Sequence, residues 1–146
     1  MKIAVGSDMK MHVAQVVIDD LKKRGHEVEL FGALKTEKTE PWPSVGFDVG
    51  NAVSGGSAEQ GILFCWTGTG VSIAANKVKG IRAALCNDSG TAEGARKWND
   101  ANVLVMSLRV VSEVIAGEIL EAWFNASPSE DEDDKECFRI LNGNDT

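Results

Sequence analysis

Short, near-continuous apolar runs alternate along this chain with longer stretches whose apolar residues fall three and four apart. Ile3 to Val5, Val28 to Phe31, Ile62 to Cys65, Arg82 to Leu85 and Val103 to Met106 are the short runs. Between them, His12 to Lys23 carries Val13, Val16, Val17 and Leu21 at helical spacing and stops at Gly25. Val45 to Val53, the segment after Cys65 as far as about Val78, Ser89 to Trp98 and Ser112 to Phe124 read as further helices. Residues 32–43, with two prolines, read as a polar loop. Strand–helix repetition of this kind, with strands too apolar to face water, predicts a parallel sheet covered on both faces. The expected fold is therefore α/β, a doubly wound five-stranded parallel sheet with helices on both faces, a Rossmann-like three-layer sandwich. One such domain accounts for all 146 residues.

Ligands of such sheets bind beyond the carboxyl ends of the strands. Here those ends are Gly6-Ser7-Asp8, Cys65 to Gly70, Cys86-Asn87-Asp88 and Ser107. The second is the richest. Cys65 ends a strand, Thr67-Gly68-Thr69-Gly70 forms a turn, and a small-residue helix follows. That order sets a thiol beside the free N–H groups of a helix N-terminus. Such a corner stabilises a developing negative oxygen and favours the thiolate. The turn is no dinucleotide fingerprint: its third glycine is missing and it follows the third strand, not the first. No His, Cys and acid cluster has metal-ligand spacing, so neither a metal nor another cofactor is expected.

Charge and cysteine content narrow the partners. A net charge of −7 argues against nucleic acid. No apolar run approaches the ~20 residues of a membrane span. The start, MKIAVGSD, reads as a strand rather than a secretion signal. Three cysteines without paired spacing point to reduced thiols and a cytoplasmic protein. Five consecutive acids, Glu130 to Asp134, read as a solvated surface turn, with one last helical turn after them at Cys137 to Leu141.

Four segments resemble the ribose-5-phosphate isomerase B / galactose-6-phosphate isomerase family: IAVGSD, GHEVELFG, CWTGTGVSIAANKVKGIRAALCND and WNDANVL. With Arg109 they span residues 3–109. The resemblance implies an aldose–ketose isomerase that works through a cis-enediol on a sugar or sugar phosphate without a cofactor. It also implies a homodimer with active sites shared between subunits, assembly to a tetramer being left open. Carried over by position, Cys65 is the proton-abstracting base and Thr67 the hydroxyl that relays protons. Gly68, Thr69 and Gly70 form the turn facing the enediolate oxygen, Asp8 binds sugar hydroxyls, and Arg109 contacts phosphate. Asn99 reaches the sugar from the neighbouring subunit.

The chain also departs from the family pattern. The Asp-His after the first strand is Asp8-Met9, and the histidine that opens the sugar ring is Trp98, which then faces the substrate instead. The arginine-rich C-terminal segment is SEDEDDKECFRIL, and residues 127–146 form a divergent acidic end. These changes imply a substrate other than an ordinary phosphopentose, or, as the alternative, a non-catalytic sugar-binding or regulatory relative. His12 is a candidate substitute for the missing histidine. Trp42, Trp66 and Trp98 suggest an apolar floor for a sugar, or interface packing.

Overall fold

A computed structural model describes residues 1–145. Its five strands form a single sheet in the order β2-β1-β3-β5-β4. They are β1 (Lys2–Ser7), β2 (Glu27–Gly32), β3 (Gln60–Cys65), β4 (Ala83–Leu85) and β5 (Val103–Ser107). Every neighbouring pair is parallel. The central strands β1, β3 and β5 are almost wholly buried, whereas β2 and β4 are only partly so. The edge strands thus hold the residues least suited to burial, such as Glu27 and Glu29.

Side chains alternate across the sheet with the strand period of two. Ile3, Val5, Ile62, Phe64, Leu104 and Met106 face one layer of helices: α1 (His12–Lys23), α5 (Ser89–Asn99) and α6 (Glu113–Asn125). Ala4, Leu63, Cys65, Val103 and Val105 face the other layer, α3 (Trp42–Ser54) and α4 (Thr69–Asn76). The expected three layers are therefore present. In α6 one stripe, Ala116, Ile119, Leu120 and Trp123, is buried. The buried Trp123 indole avoids an orphaned donor by bonding Gln60 Oε1 at 2.9 Å.

Two segments differ from the sequence expectation. The loop over 32–43 holds a short helix, α2 (Ala33–Thr36), and α3 already begins at Trp42. Pro41 is the N-cap and Pro43 lies in the first turn, where a missing N–H breaks no helical bond. The prolines open the helix rather than prevent it. The acidic run is likewise not a plain turn, because α7 spans Glu132–Asn142 and has Glu132, Asp133 and Asp134 in its first turn. Carboxylates there favour the helix by meeting its positive end. Among the described residues, no helix is long and apolar enough to cross a membrane.

Candidate active site

Between β1 and β3 the chain changes direction across the sheet: β2 lies on one side of β1 and all later strands lie on the other. The loops leaving β1 and β3 diverge there and open a crevice. A cleft of about 330 Å³ sits in that place, lined by Asp8, Trp42, Cys65, Trp66, Thr67, Thr69 and Gly70. The carboxylate that follows the first strand, far off in sequence, is thus a neighbour of the thiol and the turn.

Cys65 ends β3 opposite Ser107 of β5 and is only 5% exposed. Its carbonyl accepts the Leu108 N–H at 3.0 Å. The Trp66 carbonyl accepts the Arg109 N–H and the Ser107 hydroxyl, each at 2.9 Å. The end of β5 therefore clamps the start of the turn, and buried Ser107 is satisfied by doing so. Gly68 then turns the chain with φ +81°, and a Cβ there would stand 2.5 Å from Leu85 Cδ1. Glycine meets both demands. The first amide of α4 to return to the turn is Ser72, at 3.3 Å from the Gly68 carbonyl. Those of Thr69, Gly70 and Val71 precede it and are free of helical partners. The Thr69 N–H makes a long 3.4 Å bond to Thr67 Oγ1, and the two threonine hydroxyls are 2.7 Å apart. Gly70 lines the cleft, and its amide makes no helical bond.

Two indoles fence the cleft. The Trp42 ring lies so close over Gly70 that an added Cβ would come within 2.9 Å of it. Trp42 is 44% and Trp66 48% exposed, so each presents an apolar face to solvent. The sequence suggested such a floor. Its Trp42 half is supplied by the helix start that the prolines concealed.

Asp8 brings the charge. Its Oδ1 is buried and has no hydrogen-bond partner among the described residues. Burial raises its pKa above the usual 3.8, opposed by backbone N–H groups at Asp8 and Met9. A raised carboxyl pKa means the native state binds the proton more tightly than the unfolded chain. Stability is therefore complete below the usual carboxylate value and falls as pH climbs through the native one. At neutral pH the ionised Asp8 works against folding. Asp8→Asn should thus melt at or above the wild-type temperature at pH 7, with the difference gone near pH 3, while sugar turnover falls. A clearly lower melting temperature at pH 7 would show that Asp8 is held by bonds that the structure lacks.

Other candidate residues lie elsewhere. Trp98 and Asn99 end α5, beside the amino edge of the sheet, and Asn99 borders a separate cavity with Asn76 and Arg82. Within one chain neither joins Cys65. Arg109 is bonded to Trp66 through its backbone and is exposed, but it does not line the cleft. Met9, at the family's histidine position, packs against the α1 side of the core. His12 pairs with Glu113 at 2.7 Å and is not among the cleft residues. Lys135 and Arg139, the cations of the C-terminal segment, are paired with Glu132 and Glu136 on their own helix. Cys86 is fully buried, and burial, then Asp88, pushes its thiol up to about 12, which leaves it inert at neutral pH. Among the described residues no group of three His, Cys, Asp or Glu side chains converges as a metal ion would require.

Comparison with known proteins adds independent findings. A family profile described as ribose/galactose isomerase matches residues 3–140. The chain is 42% identical to ribose-5-phosphate isomerase B of Escherichia coli strain K12 over 129 residues, or 86% of this chain and 84% of that protein. It is 37% identical to D-erythrulose-4-phosphate isomerase of Pectobacterium atrosepticum over 127 residues, or 86% of this chain and 84% of the relative. Ribose-5-phosphate isomerase B of Clostridium thermocellum superposes with a TM-score of 0.90 at 39% identity, covering 98% of this chain and 96% of that one.

Proposed function

Because the chain belongs to the ribose/galactose isomerase family and is accordingly an aldose–ketose isomerase, we propose that it acts through a cis-enediol with Cys65 as the base. One observation carries this reading above all: the cleft at the switch in strand order unites Cys65, the glycine turn and Asp8. A 1,2-proton shift needs a base beside an acidic carbon and positive charge or N–H dipoles at the oxygen that becomes negative. Cys65 takes the proton from the carbon next to the carbonyl, and the thiol so formed, exchanging with solvent, protonates the neighbouring carbon. The Gly70 N–H and the positive end of α4 bear the enediolate charge. Thr67 exchanges protons with the two oxygens. Asp8 accepts hydroxyl hydrogens from the sugar, which supplies the partner that its buried Oδ1 lacks. Each step uses a side chain or amide of the protein, so the chemistry calls for no metal or other cofactor.

The substrate class we favour is a four-carbon sugar phosphate, the class named by the Pectobacterium relative. Incubation with four-, five- and six-carbon aldoses, with and without a terminal phosphate, should yield ketose from at least one, followed by proton NMR. Ketose from none of them would refute the reading. Three free cysteines suit the reducing cytoplasm, where we place the protein.

A single chain leaves Trp98 and Asn99 away from Cys65, so we assign them to the site of a second subunit, with Arg109 at its rim. Exposed Ile140, Leu141, Val110 and Val114 give such a partner apolar surface to cover. Sedimentation at micromolar concentration should therefore give a homodimer or a multiple of it. A monomer would contradict the shared site and the roles of Trp98 and Asn99 together.

A further inference from the structure

Relaying protons asks more of Thr67 than a hydroxyl in the right place. A hydroxyl has one proton and two acceptor positions. Its proton must point at the substrate when the carbonyl oxygen becomes negative. In this chain the Thr69 N–H lies 3.4 Å from Thr67 Oγ1, and the Thr69 hydroxyl lies 2.7 Å from the same atom. Gly68, at φ +81°, folds the chain so that both threonines stand on the cleft side.

We propose that Thr69 is a positioning residue for the relay. Its N–H and O–H fill the two acceptor positions of Thr67 Oγ1, so the single Thr67 proton is left for the substrate. This rests on the reading of Thr67 as the relay and adds a role that the turn amides do not have. The protons balance. Thr67 gives its hydrogen to the oxygen that was the carbonyl and takes one from the neighbouring hydroxyl, ending as it began. Thr69 keeps its own hydrogen and stabilises the Thr67 oxygen while that oxygen is short of a proton. The substrate is oxidised at one carbon and reduced at the next, and the protein is unchanged.

The test compares Thr69→Val, Thr69→Ser, Thr67→Val and the double valine variant, with kcat and KM measured separately on the aldose turned over best. Valine keeps the branched shape and loses only the hydroxyl. Thr69→Val should lower kcat about tenfold with KM nearly unchanged, the scale of one lost hydrogen bond in a transition state. Thr69→Ser should recover most of that loss. In the Thr67→Val background the second change should have almost no effect, because a residue acting through another contributes nothing once that partner is gone. Wild-type kcat in Thr69→Val, no recovery by serine, or losses that multiply in the double variant would each overturn the assignment. Full activity in Thr67→Val would instead remove the relay reading itself, and this inference with it. Serine retains the hydroxyl and has less bulk, so it tests the role even if valine disturbs the turn.

Discussion

Cys65→Ala should lower isomerisation by about 10²- to 10⁴-fold, the usual effect of removing a general base, while the protein stays folded. The two halves of that expectation have different origins. The rate loss follows from the thiol's place in the cleft, beside Thr67 and the first turn of α4. Retention of fold follows from how little is removed. From its sequence position Cys65 reads as an edge residue, but it is 5% exposed and belongs to the cluster under α3 and α4. Losing one sulfur atom there leaves a small cavity and costs about 1 kcal/mol, comparable with trimming a single buried methyl group. Circular dichroism and thermal melting should show a native variant with a slightly lower melting temperature. Turnover near the wild-type value in a folded Cys65→Ala protein would remove the proposed base.

Ribose 5-phosphate should be a poor substrate, with kcat/KM below about 10⁴ M⁻¹s⁻¹, the low end for efficient enzymes. A short sugar that is open-chain in water should do better by about tenfold or more. Ribose 5-phosphate is mostly cyclic and needs a group that moves a proton to open the ring. Trp98 cannot serve, because an indole N–H donates only, and Met9 offers no proton while packing into the core. His12 is engaged by Glu113 outside the cleft. A four-carbon aldose phosphorylated on its terminal oxygen has no free hydroxyl with which to close a five-membered ring, so it arrives open. The far end of the substrate also matters. The family resemblance implies that C-terminal cations hold the phosphate, but here Lys135 and Arg139 are matched by acids on α7, and the neighbouring carboxylates would oppose a phosphate dianion brought there. The phosphate of either sugar should therefore add less to binding here than in a cationic site. Steady-state kinetics on both sugar phosphates decide the point. An efficiency on ribose 5-phosphate well above that threshold would mean that other groups replace the missing histidines.

The sheet was legible because its physics is local. Buried parallel strands must be apolar, and the helix over His12–Lys23 shows both its stripe and its glycine stop, so its limits match. Cys65 and the turn were legible for the same reason, since strand, glycines and helix are contiguous. Features that depend on more than one segment were harder to see. The prolines at 41 and 43 signal a loop when read alone, yet they suit the first turn of α3 once that helix packs on the sheet. Glu132 to Asp134 read as part of a solvated surface turn until they are placed at the positive end of α7. That Trp42 lies over Gly70 depends on how α3 meets α4, which no periodicity encodes. The roles proposed for Trp98 and Asn99 require a second subunit, which no pattern along one chain encodes. The Thr67–Thr69 contact had a visible signal, two hydroxyls flanking a glycine, but its meaning needed the positive φ at Gly68.

The central claim is proton abstraction by Cys65, and isomerisation in deuterium oxide measures it most directly. With a four-carbon aldose phosphate as substrate, the account predicts that the ketose formed carries solvent deuterium on the carbon that receives the proton. It also predicts that Cys65→Ala lowers ketose formation and exchange at the carbon next to the carbonyl together, by the same roughly 10²- to 10⁴-fold. Ketose formation and exchange at the wild-type rate in a folded Cys65→Ala protein would contradict it.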